Sequence, residues 1–258
     1  MYDADLQLAL AAARAAGAAV LRHFGRPGAV RYKVPRQPVS AADLEANAIL
    51  ERELLGARPG DGWLSEETAD SPARLERRRV WVVDPIDGTN AFVAGIPEFA
   101  VCVALVEDGE PVLGVVLNPA SGECYHAAAG QGAYRDGARI HVAPPAAPGE
   151  RTLLVSRSEL RRGEFDELGG DWRLRPLGGT AYRMAKVADG TGHAFFSRSP
   201  KSEWDVCAPA LLVREAGGQV SDAHGRALRF NRRDVAIAGV LVAEPESYPL
   251  LLAQLRPR

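Results

Sequence analysis

The sequence predicts a layered α/β protein, and three patterns carry this prediction. Apolar side chains recur near helical spacing in residues 4–24 and 41–55. Two apolar, β-like runs, residues 99–106 and 111–117, flank Glu107-Asp108-Gly109-Glu110, which is a clear hairpin signal. In the second half of the chain, short strand-like and helix-like segments alternate, as they do in sheets that are covered by helices.

Two helices are expected at the start of the chain. The first helical pattern covers Ala4–Phe24, and the basic, proline-punctuated stretch 26–38 that follows predicts a loop or an edge strand. Ser40 is placed to cap the second helix, Ala41–Leu55. Asp43 then falls in the first turn of that helix, where the helix dipole favours an acidic side chain.

A linker is expected near the middle of the chain. Residues 124–141 predict short strands and turns, and the Pro- and Ala-rich segment Ala143–Gly149 that follows is the best linker candidate. Beyond it, the predicted strands are 153–155, 192–196 and 219–220, and the predicted helices are 161–168, 180–189, 206–216 and 248–255. We therefore expect an N-terminal α+β half, residues 1–143, and a C-terminal α/β half, residues 144–258.

The composition indicates an ordinary globular protein. The chain has 258 residues, of which 47% are hydrophobic and 25% charged, and its net charge is -2. This balance provides no overall field to attract a nucleic acid polymer or an anionic membrane. Three cysteines without metal-ligand spacing are typical of a reducing compartment, and the apolar stretch Leu6–Val20 is interrupted by polar residues. We expect a cytoplasmic protein without a membrane span.

Residues Asp84–Thr89 have the pattern that is most informative about chemistry. They form an acidic turn directly after the predicted strand 80–83, and we expect that strand to end before Asp84. Its two aspartates and the Ile86 carbonyl can hold divalent cations, because Mg²⁺ prefers oxygen ligands. Gly88 frees the backbone to expose its amides, which can face a phosphate together with the Thr89 hydroxyl. Since Asp, Pro and Gly are common in turns, an acidic surface turn explains this motif alone equally well.

Two other acidic motifs strengthen the metal-site hypothesis. Glu66 and Glu67 are adjacent carboxylates after an apolar stretch, and Asp205 lies at the start of a predicted helix. An acid at a helix start is also favoured as a cap, so each motif has an ordinary structural explanation. Three acidic motifs in one chain are harder to dismiss together.

Two long segments, Trp81–Leu105 and Glu203–Asp222, resemble the central and C-terminal signatures of the inositol monophosphatase superfamily. Leu64–Glu67 and Val39–Asp43 match two further landmarks of that family in the expected order. The resemblance implies a layered α-β-α-β-α sandwich of the inositol monophosphatase and sugar phosphatase type. It also implies Mg²⁺-dependent hydrolysis of a small phosphate ester, with the metal ions bound between the two halves.

The resemblance assigns roles to particular residues. The implied metal ligands, for two or three Mg²⁺ ions, are Glu66, Asp84, the Ile86 carbonyl, Asp87 and Asp205. The other implied roles are water activation by Thr89 with Asp43, substrate contacts by Asp87, Gly88, Thr89 and Asp205, and support of the ligands by Glu67. Paired ions can clamp the attacking and leaving oxygens of an in-line phosphoryl transfer. By the same resemblance, lithium should inhibit the enzyme.

Two arginines favour a substrate with a second phosphate. Arg183 falls where the bacterial 3'(2'),5'-bisphosphate nucleotidases of the superfamily carry a lysine, and Arg198 lies near the position where inositol enzymes use an acid. A guanidinium pairs bidentately with phosphate, although most arginines are simply solvated. The chain therefore resembles most the nucleotidase branch, which converts 3'-phosphoadenosine 5'-phosphate to AMP and phosphate. Residues 156–158 also resemble a segment of these nucleotidases.

Other segments keep alternatives open. Phe99–Val142 resembles the inositol monophosphatase pattern at least as well, so an inositol-1-monophosphatase or a broad sugar-phosphate phosphatase is the main alternative. Fructose-1,6-bisphosphatase is a more distant one. An inactive metal-binding relative should have lost a ligand or the pair of Asp43 and Thr89, and all of these residues are present. The expected partner is a small-molecule phosphate ester. Since family members are often dimers, the resemblance is compatible with a homodimer, although no segment of the sequence marks an interface.

Overall fold

Two large β-sheets organise the chain, which the computed structural model describes over residues 2–26, 31–34 and 37–255. The helices are α1 (Asp3–His23), α2 (Ala41–Ala57), α3 (Thr89–Val93), α4 (Arg157–Arg161), α5 (Thr180–Ala188), α6 (Glu203–Glu215) and α7 (Ser247–Leu255). The strands are β1 (Arg31–Val34), β2 (Gln37–Val39), β3 (Gly62–Ser65), β4 (Arg79–Asp87), β5 (Ala100–Glu107), β6 (Glu110–Leu117), β7 (Cys124–Ala128), β8 (Ala133–Arg135), β9 (Ala138–Ile140), β10 (Arg151–Val155), β11 (Trp172–Pro176), β12 (Ala194–Ser197), β13 (Lys201–Ser202), β14 (Gln219–Ser221), β15 (Ala236–Ile237) and β16 (Val240–Ala243).

The two large sheets and their helices stack in five layers. The larger sheet has the strand order β3-β4-β5-β6-β7-β8-β9, and the smaller sheet has the order β11-β10-β12-β16-β14. Helices α1 and α2 share one hydrophobic core with the outer face of the larger sheet, whereas α5 and α6 share a second core with both sheets. Helix α7 and the segment that carries α4 pack on the other face of the smaller sheet. The predicted α-β-α-β-α sandwich is confirmed.

The predicted hairpin lies at the centre of the larger sheet, where β5 pairs with β6. Glu107 is opposite Glu110, and the turn residues Asp108 and Gly109 have φ values of 52° and 82°, as a tight two-residue hairpin turn requires. Helices cover both faces of this sheet, so side chains on both faces of the strands are buried. This explains why both runs are continuously apolar rather than alternating.

The structure corrects two predicted helices. The helix expected at 161–168 is instead α4, which ends at Arg161, followed by a 3-10 turn at Asp166–Asp171. The helical path is interrupted because Gly163 adopts a positive φ of 73°. Helix α6 begins at Glu203 rather than at residue 206. Strands β11 and β16, which complete the smaller sheet, have no counterpart among the predicted elements.

Strand β4 also continues beyond the expected stop at Asp84 and reaches Asp87. Its pairing with β5 shifts in register between these two residues. Such a bulge accommodates Pro85, which has no N–H to donate to the ladder. The acidic turn is therefore the bulged end of a central strand rather than a loop after it.

The two predicted connecting segments join these layers. Strands β1 and β2 pair antiparallel over residues 31–39, at the end of the predicted connecting stretch 26–38, of which residues 27–30, 35 and 36 lie outside the described residues. Residues 143–149 run between β9 and β10 and contain neither helix nor strand. The division of the chain into residues 1–143 and 144–258 remains a prediction. Helix α6, from the second half, packs against the larger sheet, so the two halves share a core.

Helix α1 is long and apolar enough to cross a bilayer, and it is the one helix in the described ranges that passes this test. The core helix of a globular protein passes the same test of length and composition. Here 56% of the apolar window is buried, against α2 and the larger sheet. The structure therefore uses α1 as a core helix.

We predict that Gly114→Ala destabilises the protein. A Cβ atom at Gly114, in β6, would lie 2.5 Å from the backbone oxygen of Ala208 in α6, so the helix would have to move away from the sheet. Overpacking of this kind typically lowers the free energy of unfolding by about 1–3 kcal/mol. Each kcal/mol should lower Tm by roughly 2–4 °C. The matched control is Gly56→Ala, because Gly56 lies in α2 with open space around it. Equal thermal melting curves for the two variants would contradict the close approach.

Candidate active site

Three acidic side chains from distant parts of the sequence meet at one end of the larger sheet. Glu66 follows β3, Asp84 lies in β4, and Asp205 lies in the first turn of α6. One carboxylate oxygen of each lies within 4.8 Å of the others. Strands β3 and β4 are parallel neighbours with Ser65 opposite Val83, so Glu66 and Asp84 emerge side by side.

Burial and mutual repulsion make this cluster costly without a cation. Burial, followed by the negative charges of Glu66, Asp87 and Asp205, raises the pKa of Asp84 well above its ordinary value. Burial, with the charge of Asp87 adding to it, raises the pKa of Asp205 to about 6. A divalent cation would reverse this penalty, and closely spaced carboxylate oxygens are the ligands that Mg²⁺ prefers. The donor set therefore fits a hard metal ion.

A buried polar chain fixes Asp205 relative to the loop after Glu66. Arg74 donates to Asp70 at 2.7 Å and to the side chain of Asn231 at 2.8 Å. Glu203, the first residue of α6, accepts from the backbone N–H of Asn231 at 2.6 Å. The start of α6, which carries Asp205, is thereby connected to the segment that follows Glu66.

Asp43 and Thr89 lie near the cluster but are not hydrogen-bonded to each other in the described structure. Asp43 accepts from the backbone N–H and the hydroxyl of Ser40, both at 2.7 Å, in the capping box of α2. Burial raises the pKa of Asp43 to about 6, and the charge of Glu67 also raises it. The Thr89 hydroxyl donates to the Ile86 carbonyl at 3.0 Å. Because Ser40 is the N-cap residue of this capping box, the predicted cap of α2 is confirmed.

Asp87 is bonded across the layers to the start of α5. Its two carboxylate oxygens accept from the backbone N–H groups of Thr180, at 2.7 Å, and Tyr182, at 3.1 Å. It therefore caps a helix that has only Gly179 at its own N-cap position. Asp87 is not part of the three-carboxylate group, although its charge raises the pKa of Asp84 and of Asp205.

The contact between the acidic turn and α5 requires glycine on both sides. Gly88 has a φ of 88°, and a Cβ there would lie 3.0 Å from the Cα of Gly179. Gly179 has a φ of 64°, and its Cβ would lie 2.5 Å from an oxygen of Asp87. The side chain of Glu98 supports the same loop. Its Oε2 accepts from Gly178 N–H at 2.6 Å and from the Arg157 guanidinium, and its Oε1 accepts from the same guanidinium at 2.9 Å.

These elements surround a cleft of about 960 Å³. The acidic cluster and the Asp84–Thr89 turn line it together with the loop at residues 177–180. The segment around α4 lines it as well, including residues 156–158, which the sequence comparison with nucleotidases had singled out. The cleft is large enough for a small phosphate ester.

A sequence profile described as the inositol monophosphatase family matches residues 1–258. The chain belongs to this family. The inositol monophosphatase family member with the solved structure from Thermotoga maritima superposes with a TM-score of 0.87 at 28% identity, covering 99% of this chain and 97% of that one. The predicted family and fold are confirmed, and as a family member the protein is a phosphoric monoester hydrolase.

Two curated relatives from this family bear on the predicted branch. An inositol-1-monophosphatase of Mesorhizobium japonicum is 38% identical over 233 residues, which cover 86% of this chain and 87% of that protein. The 3'(2'),5'-bisphosphate nucleotidase CysQ of Aggregatibacter actinomycetemcomitans is 30% identical over 239 residues, 89% of this chain and 88% of that protein. The comparisons therefore include the nucleotidase branch but do not single it out.

The structure separates the two arginines expected to bind substrate in this phosphatase. Arg183 lines the cleft, but it is buried and donates to the Leu177 carbonyl at 2.7 Å. Arg198 is exposed, lies outside the cleft lining and donates to the Glu164 carbonyl at 3.0 Å. Burial lowers the pKa of Arg183, and the opposing charges of Glu159 and Asp87 favour its protonated form.

Sequence reasoning missed several residues that line the cleft. They are Glu159, Arg161, Arg162 and Lys201. The resemblance of residues 156–158 to a nucleotidase segment was a signal for this region. It did not extend to these four residues: the predicted helix 161–168 misplaced Arg161 and Arg162, and no predicted element contained Glu159 or Lys201.

We predict that Asp84→Asn stabilises the metal-free protein at neutral pH. The pKa values of Asp84 and Asp205 are higher in the folded protein than in the unfolded chain. Above about pH 4 the unfolded chain therefore loses these protons first, and the free energy of unfolding falls as the pH rises through 6 and beyond. In EDTA at pH 7.5, the variant should melt several degrees above the wild type, since each kcal/mol is worth roughly 2–4 °C. Near pH 4 the difference should shrink. The control Asp108→Asn, in an exposed turn, should give no such pH-dependent gain.

We predict that Gly179→Ala lowers kcat/KM by about 100-fold or more. The new methyl group would displace Asp87, and a shift of about 1 Å in a catalytic group can cost this much. Gly217→Ala is the matched control, because Gly217 also has a positive φ, of 88°, but open space around it. That variant should lose about 1 kcal/mol of stability and retain its activity. Similar kinetics of the two variants would refute the assigned contact.

Proposed function

We propose that this phosphatase is Mg²⁺-dependent and that its substrate is a small phosphate ester with additional negative charge. The observation that carries the proposal is that one cleft is lined by two kinds of charge. The carboxylates of Glu66, Asp84 and Asp205 form a group suited to metal ions. Cationic side chains of Arg161, Arg162 and Lys201 line the same cleft and can meet other negative groups of the substrate.

The proposed metal ligands are the three clustered carboxylates, together with Asp87 and the Ile86 carbonyl, for two or three ions. The Asp87 oxygens each accept one backbone N–H, and a carboxylate oxygen has a second lone pair for a cation. The Ile86 carbonyl accepts a hydrogen bond from the Thr89 hydroxyl, and its oxygen likewise has a second lone pair. Bound Mg²⁺ supplies charge neutralisation of the phosphate and lowers the pKa of the attacking water.

The chain itself would orient the phosphate and take up the proton. We expect the backbone amides of Gly88 and Thr89 to donate to phosphate oxygens, since the positive φ of Gly88 opens the turn. We expect Asp43 to accept the proton of the attacking water, because a pKa of about 6 suits a general base near neutral pH. In this proposal the Thr89 hydroxyl and Asp43 contact the water separately, and Glu67 tunes Asp43 by its charge.

The proposed substrate class is a bisphosphorylated nucleoside, with 3'-phosphoadenosine 5'-phosphate converted to AMP and phosphate. Support comes from the cations that line the cleft, among which Arg161 has no ion-pair partner in the described structure. Arg183 supports the site less directly, because its guanidinium is buried and holds Leu177. Arg198 would contribute only if it moved from its place on the surface.

A second candidate activity is hydrolysis of inositol 1-phosphate or a related sugar phosphate. It is favoured by the higher identity to the inositol-1-monophosphatase than to the nucleotidase. Lithium inhibition and a homodimeric assembly remain predictions from the family resemblance, and a cytoplasmic location remains a prediction from the composition.

We predict Mg²⁺-dependent release of phosphate from a panel of 3'-phosphoadenosine 5'-phosphate, inositol 1-phosphate and fructose 1,6-bisphosphate. The nucleotide should be preferred by at least ~100-fold in kcat/KM, which corresponds to ~3 kcal/mol of differential transition-state binding. Arg161→Ala should remove at least ~10-fold of this preference, whereas Asp84→Asn should abolish turnover of all three. A preference for inositol 1-phosphate would support the second candidate. Release of no phosphate at all would indicate an inactive metal-binding relative.

The same substrates test whether Arg161 or Arg198 binds the additional negative charge of the nucleotide. If Arg198→Ala lowers nucleotide turnover and Arg161→Ala does not, the sequence-based role of Arg198 is right and the proposed role of Arg161 is wrong.

A further inference from the structure

Two buried charged side chains of the cleft each keep one atom without a hydrogen-bond partner. Glu159 is 2% exposed and Arg183 is 5% exposed, and both line the cleft. The unpaired atoms are Oε2 of Glu159 and Nε of Arg183. Buried polar atoms are nearly always hydrogen-bonded, so unpaired atoms on two oppositely charged side chains that line one cleft need a partner that the protein itself does not supply.

Glu159 is held firmly by its other oxygen. It lies in α4, and its backbone N–H donates to the side chain of the capping residue Ser156. Its Oε1 accepts a short hydrogen bond from the Ser197 hydroxyl and lies 3.7 Å from the Lys201 ammonium. The carboxylate is therefore fixed in position, and Oε2 is the oxygen that remains for a donor.

Arg183 is held equally firmly by the far end of its guanidinium. Nη1 donates to the Leu177 carbonyl at 2.7 Å, and Nη2 lies 3.4 Å from the Thr180 hydroxyl. The guanidinium carbon lies 4.7 Å from the centre of the Phe195 ring, so the planar group is stacked as well. The Nε–H is the donor that remains. Glu159 is the strongest opposite charge acting on this guanidinium.

We propose that Glu159 Oε2 and Arg183 Nε–H form a subsite for a hydroxyl group of the substrate's leaving group. A hydroxyl can donate to the carboxylate oxygen and accept from the guanidinium at the same time. A second phosphate would be repelled by Glu159, and an ammonium group by Arg183. The subsite therefore selects a neutral, hydroxyl-bearing ring, such as a cyclitol or a sugar. This inference rests on the proposed phosphatase activity, and both leaving groups considered above carry ring hydroxyls.

The assignment also gives Arg183 a different role from the one that its position in the sequence indicates. Its charge is already balanced by Glu159, and its Nη atoms are directed to protein groups. It would act on the hydroxyl through Nε, while Arg161 and its neighbours meet additional negative charge.

Substrate pairs that differ only in hydroxyl groups test the subsite in the full-length, Mg²⁺-loaded enzyme. The pairs are inositol 1-phosphate with cyclohexyl phosphate, and adenosine 3',5'-bisphosphate with its 2'-deoxy form. The wild type should prefer the hydroxyl-bearing member of the pair it accepts by at least ~100-fold in kcat/KM, because unpaired polar groups in a site reject analogues that lack the matching hydroxyl.

Glu159→Gln should lower that preference by about tenfold or more, mainly through KM. Arg183→Lys keeps the positive charge but has no Nε–H, and it should lower the same ratio. If Glu159→Gln does not fold, the Arg183→Lys ratio and the wild-type ratio still decide. Glu167→Gln, an exposed glutamate outside the cleft lining, is the matched control and should leave the ratio unchanged.

The outcomes separate the subsite from the activity on which it rests. Phosphate release without a hydroxyl preference means that the two atoms hold only water, which overturns the subsite alone. An equal loss on both members of a pair in the variants gives Glu159 and Arg183 a structural role and also overturns it. No Mg²⁺-dependent release from any of the four esters overturns the proposed activity and the subsite together.

Discussion

Repulsion among the clustered carboxylates of Glu66, Asp84 and Asp205, of which Asp84 is buried and the other two are half-buried, is the constraint that the surrounding structure has to meet. One carboxylate oxygen of each lies within 4.8 Å of the others, and the charges of Glu66 and Asp205 both raise the pKa of Asp84. Carboxylates placed far apart would make the protein more stable, because closely spaced charges that are removed from water cost free energy without a counter-ion. The fold holds them together instead, which is expected where a cation completes the site.

Rigid elements rather than loops supply this restraint. Glu66 follows β3 and Asp84 lies in β4, and these two strands are parallel neighbours. Asp205 is the N3 residue of α6, where it also accepts from Ser202 N–H at 2.8 Å. Arg74 and Glu203 are both buried and are linked through Asn231, which connects the third acid to the segment after the first. The backbone positions of these carboxylates are thus fixed by elements that have a structural function of their own, so the geometry of the candidate site is set by the fold.

The two sheets are joined where the chemistry is expected. Asp87 caps α5, and Glu98 holds Arg157 and the loop before α5. Close contact between Gly88 and Gly179 lets these bonds form. Because the same contacts that close the interface also shape the cleft, a change in packing there is expected to alter activity before it alters the fold.

The sequence by itself determined the layered α/β class, the central hairpin, the cap at Ser40 and the acidic residues Glu66, Asp84 and Asp205 of the candidate metal site. These features depend on local patterns: apolar periodicity, turn residues with positive φ, and short motifs that one strand end or helix start carries. The tertiary structure alone decided that Asp87 caps α5, that Arg183 is buried while Arg198 stays on the surface, and that Glu159 enters the cleft. The physical reason is that these outcomes depend on which distant segments pack together. Burial and hydrogen bonding between segments far apart in sequence leave no periodicity in either one.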